Sequence, residues 1–206
     1  MFCKYIDGDG IMVVIAYVDD LLFLGTPGMH SEIVALRKRV EMEDPQTLSK
    51  YLGCNHRCSS TKLGRDTVTR SVLDMSDYFK RACELYISKT GLSLKPVDSL
   101  YAPDLPQAQL DKLMEDPSKF GGDAASLLMK LIYGARMACP WLSVAIQQLA
   151  RQVHRWTAEC DRRLHRLYCY VSCTTDMTLS GSWLTADLDN LTLDTYVDSD
   201  IAGDVF

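Results

Sequence analysis

The stretch that most constrains this chain is Tyr17-Val18-Asp19-Asp20, two adjacent carboxylates set between apolar runs at residues 11–16 and 21–24. Runs of this kind, rich in Val, Ile and Leu and closed by Gly25, Pro27 and Gly28, predict two buried strands. The aspartates then fall at the turn of a hairpin. A carboxylate without a partner is costly to bury, so this turn has to stand clear of the core. Two roles fit such a pair. Asp is ordinary turn chemistry, because it hydrogen-bonds its own backbone and tolerates turn conformations. Side-by-side oxygen ligands also suit Mg²⁺, which takes one or two carboxylates and completes its shell with water and substrate phosphates. The dipeptide alone does not choose between them.

Composition narrows the classes. At 206 residues the chain suits one large domain or two small ones, and with 47% hydrophobic and 24% charged residues it has an ordinary globular make-up. A net charge of −5 does not favour nucleic-acid binding by global attraction, so any such binding needs basic residues gathered locally. Candidates are Arg37-Lys38-Arg39 and the series Arg151, Arg155, Arg162, Arg163 and Arg166, for which a solvated helix face is the competing explanation. Eight cysteines without a secretory leader point to an intracellular chain, cytoplasmic or nuclear, with reduced thiols. The apolar region 11–24 is too short to span a bilayer and carries two aspartates, each costing about 2.5–3.5 kcal/mol at the centre of a membrane helix. No membrane partner is expected.

Along the chain, Asp7-Gly8-Asp9-Gly10 is a turn signal feeding the first hairpin strand. Residues 31–43 predict an amphipathic helix, with Ser31 as N-cap and Pro45 just beyond its end. Residues 48–58 and 67–73 predict strands joined by a polar loop at 59–66. A helix follows at 76–90, closed by Gly91. Residues 92–122, rich in Pro, Asp, Ser and Gly, predict a linker with a weak helical patch at 107–114. From Ala124 the pattern is helical, broken at Pro140, resumed at 141–153, with a third helix at 158–172 that places Arg162, Arg163 and Arg166 outward. Residues 179–184 and 191–197 predict an antiparallel strand pair joined around residues 187–190.

Several of these segments, in this order, resemble the reverse transcriptases of Ty1/copia-type retrotransposons. Tyr17-Val18-Asp19-Asp20 followed by Leu21-Leu22-Phe23-Leu24-Gly25 is similar to that family's active-site hairpin. Val40-Glu41-Met42-Glu43-Asp44 and then Leu48-Ser49-Lys50-Tyr51-Leu52-Gly53 resemble the acidic helix end and the strand that opens after it. Lys95-Pro96-Val97, Leu131-Ile132-Tyr133 and Tyr170-Val171-Ser172-Cys173-Thr174 follow the family's later segments. Tyr196-Val197-Asp198-Ser199-Asp200 with Ala202-Gly203-Asp204 resembles the opening of its RNase H domain. The chain departs from the pattern at Cys139-Pro140-Trp141, where Arg and Asp are usual, and at Ile201, which replaces Trp.

The resemblance implies an α+β fold. It comprises a palm part with the catalytic hairpin and the start of the thumb at 1–91, the linker at 92–122, a helical connection region at 123–175 and an incomplete RNase H opening at 176–206. It also implies RNA-directed DNA polymerase chemistry with Mg²⁺ or Mn²⁺, an RNA or DNA template-primer and dNTPs as partners. Asp19 and Asp20 are then the hairpin's metal ligands, Asp198 the first RNase H carboxylate, and Tyr17 with Arg151, Arg155, Arg162, Arg163 and Arg166 the nucleic-acid contacts. In two-metal phosphoryl transfer several carboxylates hold a pair of ions. The family's third polymerase carboxylate, its fingers and its dNTP-binding residues are expected upstream of Met1. The chain alone is therefore expected to bind a divalent ion weakly and not to polymerise. Two alternatives stand beside this reading: a non-enzymatic remnant that binds nucleic acid or protein, and a degenerate reading frame without selected function. Cys54, His56 and Cys58 share a strand face but lack a fourth zinc ligand, and His165, Cys169 and Cys173 line one helix face as buried thiols would.

Overall fold

The structure is a computed structural model that describes residues 1–6 and 10–190. It is a mixed α+β chain with two antiparallel sheets. Its described residues fall into two compact units: 1–6 and 10–57 with 72–179, and 58–71 with 180–190.

The first unit opens with a three-stranded sheet in the order β1 (Phe2–Ile6), β2 (Gly10–Tyr17) and β3 (Asp20–Gly25). The strand β1, which the sequence pattern does not announce, pairs Phe2 with Val14 through to Ile6 with Gly10. Paired residues of an antiparallel ladder share a face. One face carries Lys4 and Met12 and is covered by α1 (Met29–Arg37), through a Lys4–Glu32 ion pair and the buried side chains of Met12 and Ile33. On the other face lie Tyr5 and Ile11, Val13 and Leu24, Ile15 and Leu22, then Tyr17 and Asp20. Tyr5, Ile11, Tyr17 and Leu24 are exposed there. The two strands predicted to be buried are thus half-exposed, because among the described residues a helix packs on only one face of the sheet.

Helix α1 starts ahead of the predicted Ser31 cap, and the Ser31 hydroxyl instead donates to the Gly28 carbonyl at 2.9 Å. It stops at Arg37 rather than running to residue 43. Val34 on its outer face and Val40 beyond its end both stay exposed, so extending the helix to Val40 would not bury that side chain.

The predicted strand at 48–58 is folded back on itself. Lys50 and Tyr51 form β4 (Lys50–Tyr51), which pairs with Asn55 and Cys54 at the start of β5 (Cys54–Leu63). Between them Leu52 and Gly53 take φ values of +50° and +78°. Two successive left-handed residues make the tight hairpin turn whose twist matches its strands. The predicted loop at 59–66 is also strand, since β5 runs to Leu63 and turns at Gly64 and Arg65 into β6 (Asp66–Asp74). Its polar composition misleads because both faces are largely exposed, while cross-strand pairs such as Ser60–Thr69, 3.0 Å apart, still form. The second unit contains the distal part of this hairpin and most of β7 (Leu179–Leu184), which lies next to β6 in the strand order. Within it Arg70 donates to Ser180 Oγ at 3.2 Å and Thr185 Oγ1 to the Thr67 carbonyl at 3.2 Å.

The core belongs to helices α2 (Ser76–Thr90), α4 (Gly121–Ala138), α5 (Ser143–Ala150) and α6 (Ala158–Cys173). Leu127, Leu131, Ile146 and Leu164 are completely buried. Tyr86 of α2 stacks on Tyr168 of α6 with ring centroids 4.2 Å apart, and the Tyr168 hydroxyl donates to the Leu127 carbonyl at 3.0 Å. Gly134 lets α4 approach the Phe79 ring, which a Cβ there would meet at 2.5 Å. Gly91 closes α2 at φ +70°, as the sequence predicts. Pro140 ends the long helix, and a single 3₁₀ turn, Pro140–Leu142, leads into α5.

The tract at 92–122 lies within the first unit rather than between two bodies. It holds α3 (Gln107–Glu115) and is fastened to α6 along its length. Cys173 Sγ contacts the Val97 carbonyl at 3.1 Å and Arg162 donates to the Pro103 carbonyl at 2.9 Å. The buried Asp161 accepts from Ser118 Oγ, the Lys119 amide and Trp156 Nε1 at 3.0, 2.6 and 2.7 Å. A stretch whose composition marks a spacer is held by side-chain contacts that only the folded chain supplies.

Candidate functional site

Pairing between β2 and β3 ends at Tyr17 and Asp20, so the reversal is made by Val18 and Asp19 alone. Val18 sits at φ +55°. A two-residue hairpin loop asks for a left-handed residue at its first position, usually Gly, Asn or Asp. A β-branched residue there is strained, and Val18, 91% exposed, makes no packing that would offset the strain. The sequence tolerates a costly residue at the one place where the chain presents Asp19 and Asp20 together, both exposed.

Two tyrosines that the sequence pattern does not single out stand beside this tip. Tyr51 of β4 points its hydroxyl at the Ile15 carbonyl, 3.5 Å away, and Tyr133 of α4 donates to the Leu52 carbonyl at 2.5 Å. Burial raises the Tyr51 phenol above its ordinary value, and the neighbouring Asp20 charge raises it further. Tyr133 is raised by burial first, and then by Tyr17, Cys54, Asp20 and Tyr51. Both phenols therefore stay protonated donors at neutral pH. No local signal could have revealed them, because Tyr51 and Tyr133 are brought together only by α4 packing beside the β4–β5 turn.

As ligands, the two carboxylates fit one hard divalent ion with most of its shell left to water or phosphate. They do not make up a two-ion site. Among the described residues no group of three or more His, Cys, Asp or Glu side chains converges to hold a metal. Asp198 lies outside the described residues, as does the predicted strand at 191–197.

The predicted basic contacts differ in exposure. Arg151 and Arg155 are exposed, Arg155 in the 3₁₀ turn Val153–Arg155. Arg162, Arg163 and Arg166, predicted to face outward, are half-buried. Arg162 holds Glu159 through two bonds of 2.7 and 2.8 Å, which, ahead of the opposing burial, raises its already high pKa. Arg166 donates to the Ser99 carbonyl, Ser99 Oγ and Asp98 Oδ1 at 3.0, 2.7 and 3.1 Å.

The cysteines are free thiols. Cys54 is buried and Cys58 exposed, with His56 between them and its Nε2 without a partner among the described residues, so the triplet does not converge as a zinc site. His165 links the Tyr86 hydroxyl, 3.0 Å from Nδ1, to Cys169 Sγ, 3.5 Å from Nε2. Burial, and then the Lys95 charge, lower its pKa, so the imidazole is neutral at neutral pH and acts as a core hydrogen-bonding group.

No helix among the described residues is long and apolar enough to cross a membrane. No family model, curated protein or solved structure matches the chain.

Proposed function

We propose that this chain is the later part of a copia-type reverse-transcriptase polymerase unit, in which Asp19 and Asp20 supply two of the carboxylates of a nucleotidyl-transfer site. The observation that carries the reading is the strained two-residue turn. A buried-core hairpin would relieve its turn with Gly or Asn, whereas this one holds an exposed valine in a left-handed conformation and sets two carboxylates beside it. Strain kept at an exposed tip points to a constraint other than stability. The apolar face that carries Tyr17 and Asp20 also suits a sheet completed by further palm elements. The segments that resemble the family also follow one another along the chain in its motif order, which supports the same reading.

On this reading the partners are a template-primer and dNTPs. Asp19 and Asp20 would provide oxygen ligands to a divalent ion, whose chemistry when bound is to neutralise phosphate charge. Tyr51 and Tyr133 would hold the tip in place against the helical body. Two carboxylates do not hold a pair of ions, so no catalytic step is assigned to the chain by itself. The RNase H opening at Asp198 belongs to the same proposal.

The test is Mg²⁺-dependent primer extension. The chain alone is expected to give none, and the chain joined to a palm segment bearing a third carboxylate is expected to extend, with loss of product in Asp19→Asn. Extension that persists unchanged in Asp19→Asn would sink the assignment.

A further inference from the structure

The arginines of α6 are covered by the chain's own residues 95–104, a segment that belongs to no helix or strand. It has Pro96 near one end and Pro103 at the other, and it lies along α6 as a single extended strap. Its fastening is polar. Arg166 makes three hydrogen bonds to Asp98 and Ser99, Arg162 reaches the Pro103 carbonyl, and the Asp104 charge acts on Arg162. Arg163 shares a small crevice with Leu100, Tyr101 and Ala102. Beside the fastening point, Pro96, Val97 and Asp98 of the strap and Arg166, Tyr170 and Cys173 of α6 line an open cleft of ≈ 720 Å³.

The strip under the strap carries Arg162, Arg163 and Arg166 against Glu159, while the strap adds the carboxylates of Asp98 and Asp104 against Lys95. The strap sets the Asp98 carboxylate on Arg166 and the Asp104 charge toward Arg162, anions where backbone phosphates would sit. The track is one extended chain wide, which suits a single strand rather than a duplex. Tyr101 and Tyr170 stand along it, and aromatic rings beside cations are what single-stranded nucleic acid uses, stacking its bases while its phosphates are neutralised. The Asp98 side chain is 97% exposed, so its ion pair is readily exchanged for another anion.

We propose that residues 95–104 are an intramolecular competitor which masks a single-stranded nucleic-acid track on α6. The proposal rests on the polymerase-related reading only for the class of ligand. Displacement of Asp98 and Ser99 from Arg166 opens the track, and a phosphate takes the place of the Asp98 carboxylate.

Fluorescence anisotropy of a labelled oligothymidylate against the full chain at about 50 mM NaCl tests this, since phosphate contacts are strongest at low salt. Asp98→Ala/Ser99→Ala is expected to bind about 5-fold or more tightly than wild type, with a steeper loss of affinity as salt rises. Adding Arg163→Ala/Arg166→Ala should abolish that gain. Asp98→Asn, a change at an exposed side chain that leaves the fold intact, should give a smaller gain in the same direction. An equal gain on neutralising Asp77 in the first turn of α2 would reveal a general charge effect and overturn the proposal. Wild-type binding with no response to the strap variants overturns the strap alone. Absence of binding by every variant removes both the strap and the nucleic-acid role of the α6 arginines, and the primer-extension result reports on the hairpin separately.

Discussion

At φ +55° the Cβ of Val18 crowds the carbonyl that follows it, a cost of about 1–2 kcal/mol for an L-residue in the left-handed region. Asn tolerates that region and adds no unfolded-chain entropy of the kind Gly brings. Val18→Asn is therefore expected to raise stability by about 1 kcal/mol, read as a higher urea midpoint at unchanged slope. A lower midpoint would mean that the valine side chain is held by contacts and that the turn is not strained. The same change is expected to impair extension by the joined polymerase described above, because a stabilising substitution at a strained site commonly costs function. Tyr51 and Tyr133 were not legible in the sequence. Each is an ordinary aromatic in an apolar stretch, and only the packing of α4 against the β4–β5 turn makes them neighbours of Asp20.

Among the elements, the junction between β6 and α2 shows how a carboxylate can replace a missing helix cap. Met75 precedes α2 without a side-chain cap, and Asp74 supplies the acceptor instead. Its Oδ1 takes the Ser76 amide at 2.8 Å and the Ser76 hydroxyl, while Oδ2 takes Arg57 at 2.6 Å. Burial pushes the Asp74 carboxyl up, but the Ser76 bonds, with Arg57 and Lys80, outweigh it and bring it below the ordinary 3.8. A depressed folded value means the ionised form is favoured in the native state. Its contribution is therefore complete above the ordinary carboxylate range and is lost as pH falls through the lower folded value. Asp74→Asn is expected to destabilise at pH 7, and the gap between mutant and wild type should close in acid. Urea midpoints measured from pH 7 down to pH 3 check this, and a gap that widens in acid would contradict the assigned direction.

For the whole molecule, packing is unevenly distributed. The helices α2, α4, α5 and α6 share one apolar core, whereas the distal β5–β6 hairpin is largely exposed. Amide exchange is expected to be slowest in α4 and α6 and fastest in residues 58–71, with the β2–β3 tip between them. Protection spread evenly over all elements would count against this division. The helical core also predicts a cooperative thermal transition, which a degenerate reading frame has no reason to retain.

What the sequence by itself determined is local and periodic. The hairpin around Asp19 and Asp20, the helices closed by Gly91 and interrupted by Pro140, the helix at 158–172 and the strand at 179–184 all follow from apolar spacing and from residues that permit or forbid one backbone conformation. Tertiary structure decided the rest. It fixed where α1 stops, since helix length depends on what its outer face can bury. It made strands of the polar residues 59–63, because ladder bonds need no apolar face. It turned residues 92–122 from a spacer into part of one body, and it drew Arg162 and Arg166 onto the chain's own carbonyls and carboxylates. Those outcomes depend on contacts between residues far apart in sequence, where the partner and not the residue itself sets the energy.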